Sequence, residues 1–305
     1  MKKTIIGFIA LCFVVLIPFG IVAGIGFLMP TPFDDMYTSA LAEKIERLDR
    51  TEGNRIVIIG GSSVPFGIDS ALLEEMTGYP VVNFGLYASL GTKVMMDLSK
   101  QGIREGDIVI LAPELNEQMY SLYYGAETIW YALDGHLSYL SRLRAENTSA
   151  MVGKFWKYVS TKTKYLIHEQ SVDPLYNHAV FDEYGDIRYM KRDYNVMVTG
   201  YDVSMPISFD TAILDHTFID YVNAYAEEMQ AKGATVFFGF SPLNRDALAT
   251  GTTREDIRTF LSTLSECLHF NVLGDPNSYI YRSGYFFDSN FHMNTTGTIV
   301  HTRRV

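Results

Sequence analysis

Two cysteines in 305 residues leave little room for redox or thiolate-metal chemistry. Cys12 lies inside an apolar N-terminal run and Cys267 in an expected helix far along the chain, so no disulfide joins them in this reading. No Cys-x-x-Cys pair and no Cys/His cluster marks a zinc site, and no metal is expected. Positive charge is short as well: 25 Lys and Arg stand against 35 Asp and Glu, a net charge of −10. A nucleic-acid binder needs a basic stripe to displace counterions, so that class of partner is set aside. No repeat of 20–50 residues is visible either, which excludes solenoids and propellers.

One long uncharged run is present. It covers residues 4–30 and follows Lys2 and Lys3. At about 1.5 Å per residue, a helix of that length spans the ~30 Å hydrocarbon core of a bilayer. A cleavable signal peptide has an apolar core of only about 7–15 residues and a small-residue cleavage site. The end of this run, Gly26-Phe27-Leu28-Met29-Pro30, offers no such site. Residues 1–30 are therefore expected to be an uncleaved, single-pass signal anchor, with the lysines holding the N-terminus in the cytoplasm and the remainder outside. Residues 31–50 read as a polar, helix-prone stalk, and 51–305 as the exterior domain.

Within that domain short apolar runs alternate with helical patterns. Strands are expected at 55–59, 81–84 and 107–111, with helices at 70–77 and 92–101 between them. After residue 210 the pattern resumes: a helix over 212–232, a strand over 234–240, a helix over 254–268 and a last strand over 271–273. Such alternation implies an α/β fold, a parallel sheet covered by helices on both faces. Residues 118–210 break the pattern and are rich in Tyr, Trp and Phe, so they read as a large insertion with a local aromatic core. Lys154, Lys157, Lys162 and Lys164 lie among those aromatics, either on a solvated helix face or against anionic lipid headgroups.

Four segments bear residues suited to acyl chemistry. The first strand runs into Gly60-Gly61-Ser62-Ser63-Val64-Pro65-Phe66-Gly67, placing a serine where open parallel sheets bind ligands. The second strand ends in Asn83-Phe84-Gly85, and the third leads to Ala112-Pro113-Glu114-Leu115-Asn116. Near the C-terminus stands Asp288-Ser289-Asn290-Phe291-His292-Met293-Asn294-Thr295-Thr296-Gly297. Together, and in this order, these segments resemble the four blocks of the SGNH (GDSL-like) hydrolases. The resemblance implies a flavodoxin-like three-layer sheet with Ser63 as nucleophile, Ser62 replacing the usual aspartate and Gly67 matching the later glycine. It implies His292 as general base and Asp288 as its orienting acid, although Asp288 stands four residues before His292 where three is usual. An oxyanion hole follows from Ser63, the Gly85 N–H and the Asn116 side chain. Glu114 is an accessory site residue in an altered third block.

The implied reaction is a two-step acyl transfer through a seryl ester, which needs no cofactor. Water as the second nucleophile makes an esterase; a sugar or polyol hydroxyl makes an O-acyltransferase. The anchor favours an acyl donor and a glycan or polyol acceptor at the cell surface, by similarity to the single-pass protein layout of teichoic-acid D-alanylation. A multi-spanning membrane O-acyltransferase is the partner that layout implies. The alternative is a catalytically silent SGNH-like module that binds glycan or scaffolds such a complex, with Trp130, Tyr131, Trp156 and Tyr158 available to stack on sugars.

Overall fold

A computed structural model describes residues 2–168, 171–188 and 192–305; the side chains of residues 2–4, 8–10, 12, 15 and 145–147 are also outside the described set. Helix α1 (Lys2–Leu28) takes up the apolar run, with Pro18 inside it. The expected anchor depends in part on the residues just named. Among the described residues, no helix is long and apolar enough to cross a membrane. Cys12 likewise lies outside the described side chains, and Cys267 is a half-buried free thiol.

The domain is built on β1 (Ile56–Gly60), β2 (Val81–Gly85), β3 (Ile108–Leu111), β4 (Thr235–Phe238) and, after the short β5 (Leu243–Asn244), β6 (Asn271–Val272). Its five-stranded sheet has the order β2-β1-β3-β4-β6, parallel throughout. A two-stranded parallel patch joins β5 to β7 (Ile280–Tyr281). Alternation along the strands splits the core in two. Val57, Ile59, Val82, Phe84, Val109 and Leu111 face one apolar layer, whereas Ile56, Ile58, Val81 and Ile110 face the other. The chain leaves β1 toward β2 on one side and later returns to β3 on the other, so the carboxyl ends of β1 and β3 border a topological switch point. At the opposite end of the strands, Arg55 clamps Asp107 with Nε–Oδ1 and Nη2–Oδ2 contacts of 3.0 and 2.5 Å, both side chains fully buried.

The helices follow their sequence signals. α2 (Ala40–Arg50) precedes the sheet, and α3 (Ser63–Gly67) and α4 (Ser70–Thr77) follow β1. Asp69 caps α4 by accepting from the Leu72 N–H, and Gly78 ends it at φ 74°. α5 (Thr92–Ser99) connects β2 to β3. The insertion contributes α6 (Ala126–Ala132) and α7 (Ala145–Ile167), and α8 (His216–Ala231) follows it. α8 begins later than expected because Asp215 accepts from the Thr217 and Phe218 N–H groups, fixing the first turn there. α9 (Arg254–Cys267) opens with a Thr253–Asp256 capping box, and α10 (Thr295–Thr302) closes the described chain.

Two sequence expectations change. Residues 40–50 are no free stalk: Leu41, Ile45 and Leu48 of α2 are fully buried, and Lys44 donates to the main-chain oxygens of Asn83 and Gly185. The insertion does form an aromatic core, in which Trp130 stacks on Tyr158 at 5.1 Å. Trp130 and Tyr158 are therefore unavailable to a sugar, and Lys162 is buried against Asp134; Trp156 remains 71% exposed.

Candidate active site

The sharp turn after β1 is made by Gly60 and Gly61, and the next residue, Ser62, precedes α3. A Cβ on Gly60 would lie 2.5 Å from the Ala112 main-chain oxygen, so only glycine allows β1 and the β3 end to approach this closely. Ser62 is the serine that meets the histidine. Its Oγ lies 2.8 Å from His292 Nε2, and His292 Nδ1 lies 2.7 Å from Asp288 Oδ1. Ser63, the serine favoured from the sequence, turns the other way. Its Oγ is buried without a hydrogen-bond partner among the described residues, in a small pocket it shares with Ile58, Ser241 and His301. The two serines diverge where the chain leaves β1 at Gly60 and enters α3 at Ser63.

Asp288 and His292 sit on a short loop. Phe286 and Met293 pair as an antiparallel bridge, and the Phe287 N–H donates to the His292 main-chain oxygen at 2.9 Å. Ser289 Oγ accepts from the N–H groups of Phe291 and His292, while Asn290 Nδ2 donates to the main-chain oxygens of Asp202 and Met205. The loop absorbs the extra residue between Asp288 and His292, and the unusual spacing does not prevent their contact. Asn294 then caps α10 by accepting from the Gly297 N–H. A Cβ at Gly297 would stand 2.2 Å from the Tyr285 main-chain oxygen, which explains the glycine.

Several supporting residues had no sequence signal. Phe66 stacks face to face on the His292 ring, with centroids 4.0 Å apart and planes 4° from parallel. Arg192 lies over the Phe66 ring at 5.4 Å. Tyr176, from the insertion, donates its hydroxyl to Asp288 Oδ2 at 2.7 Å, and Tyr37 packs edge-on against Tyr176. Burial resists ionisation of Asp288, but the hydrogen bond and charge of His292, joined by the Tyr176 hydroxyl, outweigh it and hold the carboxyl below its ordinary range. The Tyr176 phenol is pushed well up, chiefly by burial and then by the Asp288 charge.

The expected oxyanion donors are engaged differently. The Ser63 N–H donates to Glu114 Oε1 at 2.7 Å, and the Gly85 N–H donates to Asn83 Oδ1 at 3.2 Å. Asn116 uses its side-chain oxygen to accept from the Met119 N–H at 3.0 Å and lines an open groove of about 750 Å³ beside Phe291. Glu114 is nearly inaccessible and also lies 3.2 Å from Ser62 Oγ, so the serine sits between a histidine and a second carboxyl group. Among the described residues, no group of three or more His, Cys, Asp or Glu side chains could hold a metal. The chain matches no protein-family model and no curated protein.

Proposed function

We propose that this chain is a serine-dependent acyl-transfer enzyme of the SGNH type, with Ser62, His292 and Asp288 as its triad. The observation that carries this reading is the unbroken contact from Ser62 Oγ through the imidazole to Asp288, at 2.8 and 2.7 Å. Asp288 accepts the Nδ1 proton, which leaves Nε2 free to take the proton of Ser62. As Ser62 Oγ bonds to the acyl carbon, its proton passes to Nε2 and the carbonyl electron pair becomes an oxyanion. Collapse of that intermediate breaks the bond to the leaving oxygen, which takes the proton from His292. An acceptor hydroxyl then gives its proton to the same nitrogen and attacks the seryl ester; collapse of the second oxyanion breaks the bond to Ser62 Oγ, which takes its proton back from His292. The acyl donor and a glycan, polyol or teichoic-type acceptor at an extracytoplasmic surface, reached by α1 as a membrane anchor, remain the favoured setting, with a multi-spanning O-acyltransferase as partner.

A second reading has one observation behind it. Both candidate backbone oxyanion donors are already occupied, which suits a silent SGNH-like module that binds or scaffolds. Labelling with a fluorophosphonate probe separates the two. The enzyme reading expects the wild type and Ser63→Ala to label and Ser62→Ala to lose labelling. Loss on Ser63→Ala with retention on Ser62→Ala would return the nucleophile to Ser63. A wild type and Glu114→Gln variant that both fail to label favour the silent module.

A further inference from the structure

The Ser62 hydroxyl has one proton to give and two acceptors within reach: His292 Nε2 at 2.8 Å and Glu114 Oε1 at 3.2 Å. The same Glu114 oxygen accepts from the Ser63 N–H at 2.7 Å. The amide following a nucleophilic serine is a common oxyanion donor, so Glu114 occupies a position that a tetrahedral intermediate would need. A negative oxygen beside the attacking atom also opposes the build-up of negative charge there. Room for this contact is provided by a missing side chain. A Cβ on Gly61 would lie 2.7 Å from Glu114 Oε1 and 2.9 Å from its Cδ.

We propose that Glu114 is a positioning residue that holds the site closed at rest by competing for the Ser62 proton and the Ser63 N–H. The inference rests on Ser62 being the nucleophile. An oxyanion can use the Ser63 N–H only once the carboxylate has left it, and the groups suited to draw that carboxylate away are hydrogen-bond donors such as the hydroxyls of a bound polyol. A residue with a merely structural role would slow the site when altered. Glu114 as a competitor predicts the reverse.

The test is the rate of fluorophosphonate labelling of the full chain at fixed pH, for the wild type, Glu114→Gln, Gly61→Ala and Ser62→Ala. Glu114→Gln keeps the shape and an oxygen that can still accept from the Ser63 N–H, but removes the negative charge beside the developing oxyanion, and is expected to label about tenfold faster. Gly61→Ala pushes the carboxylate off Ser63 without removing it and is expected to label faster too. If Glu114→Gln does not fold, Gly61→Ala decides in the same way. A folded variant that labels no faster than the wild type, while Ser62→Ala abolishes labelling, overturns the role of Glu114 alone. Labelling that survives Ser62→Ala overturns the nucleophile assignment and this proposal with it. No labelling in any chain, including those in which the site should be released, also overturns both.

Discussion

Asp288 reaches His292 across a four-residue step because Ser289 Oγ and the Phe287–His292 main-chain bond fold the intervening loop tightly. Its carboxyl is held charged by the imidazole and by Tyr176 against the cost of burial. A depressed carboxyl stabilises the fold above about pH 3.9, the ordinary aspartate value, and that contribution fades as pH falls through the lower folded value. Asp288→Asn should leave the ring in the wrong tautomer and slow labelling of Ser62 by about 10³–10⁴. Tyr176→Phe removes one hydrogen bond and should slow labelling only a few-fold, with about 1 kcal/mol lost in urea denaturation. Equal losses in the two variants would contradict this division of roles. The pairing of His292 with Asp288 was legible in the sequence because the two stand close together in the chain, whereas the Gly85 N–H is engaged by Asn83 Oδ1. The sequence favoured Ser63, whereas the way the chain leaves β1 and enters α3 turns the Ser62 hydroxyl to the histidine. Tyr176 and Phe66 were illegible because their partners are distant in the chain.

Caps and periodicity located most elements, and the misread one is instructive. α2 carries Glu43, Lys44, Glu46, Arg47, Asp49 and Arg50, a composition that suggests solvent. The large side chains of its buried stripe are Leu41, Ile45 and Leu48, beside the small Ala40 and Ala42, and two of its cations turn inward: Lys44 to carbonyls, and Arg47 to the Val81 main-chain oxygen at 3.0 Å. Long charged side chains with carbonyl partners cover apolar surface as well as an aliphatic chain does. α10 offers a test at the same scale. His301 is buried on it, sharing a 3.0 Å hydrogen bond with the Tyr281 hydroxyl. Burial, followed by the charge of Arg304, pushes the imidazole down to about 3. An unfolded histidine takes up its proton below about pH 6.5, so the unfolded state binds more protons between that value and the folded one. Stability should therefore fall by about 1.4 kcal/mol per pH unit on acidification through this window. Urea midpoints at pH 7 and pH 5 should show this loss as a difference between the wild type and His301→Leu, because Asp186, whose carboxyl burial pushes up to about 6, acts in the opposite sense in both chains. The same slope in both chains would assign the acid sensitivity elsewhere.

Over the whole molecule, aromatic and polar contacts connect the N-terminal helix to the loop that bears Asp288 and His292. The Tyr158 hydroxyl of α7 lies 2.8 Å from the Gly26 main-chain oxygen, sharing its one proton between that oxygen and Asp134, and Phe33 packs on Tyr131 and Tyr158. A few residues later Tyr37 meets Tyr176, which holds Asp288. Gly26 allows the helices to approach, since a Cβ there would fall 2.6 Å from the Phe155 ring. At the centre of this contact lies a buried ion pair: Lys162 Nζ stands 2.8 Å from Asp134 Oδ1, and the Tyr158 hydroxyl lies 2.8 Å from the same oxygen. Taking both charges out of water costs most of what their attraction returns, so the pair adds little net stability but penalises any change that leaves one member alone. Lys162→Met should cost about 3–5 kcal/mol in urea denaturation, because Asp134 is then buried without its cation. Adding Asp134→Leu to that variant should recover most of the loss, since two well-packed apolar side chains replace the pair. Recovery with unchanged labelling of Ser62 would make the pair a device for fixing how α1 meets α7, separate from the chemistry. Additive losses in the double variant would instead show that the pair itself stabilises the fold.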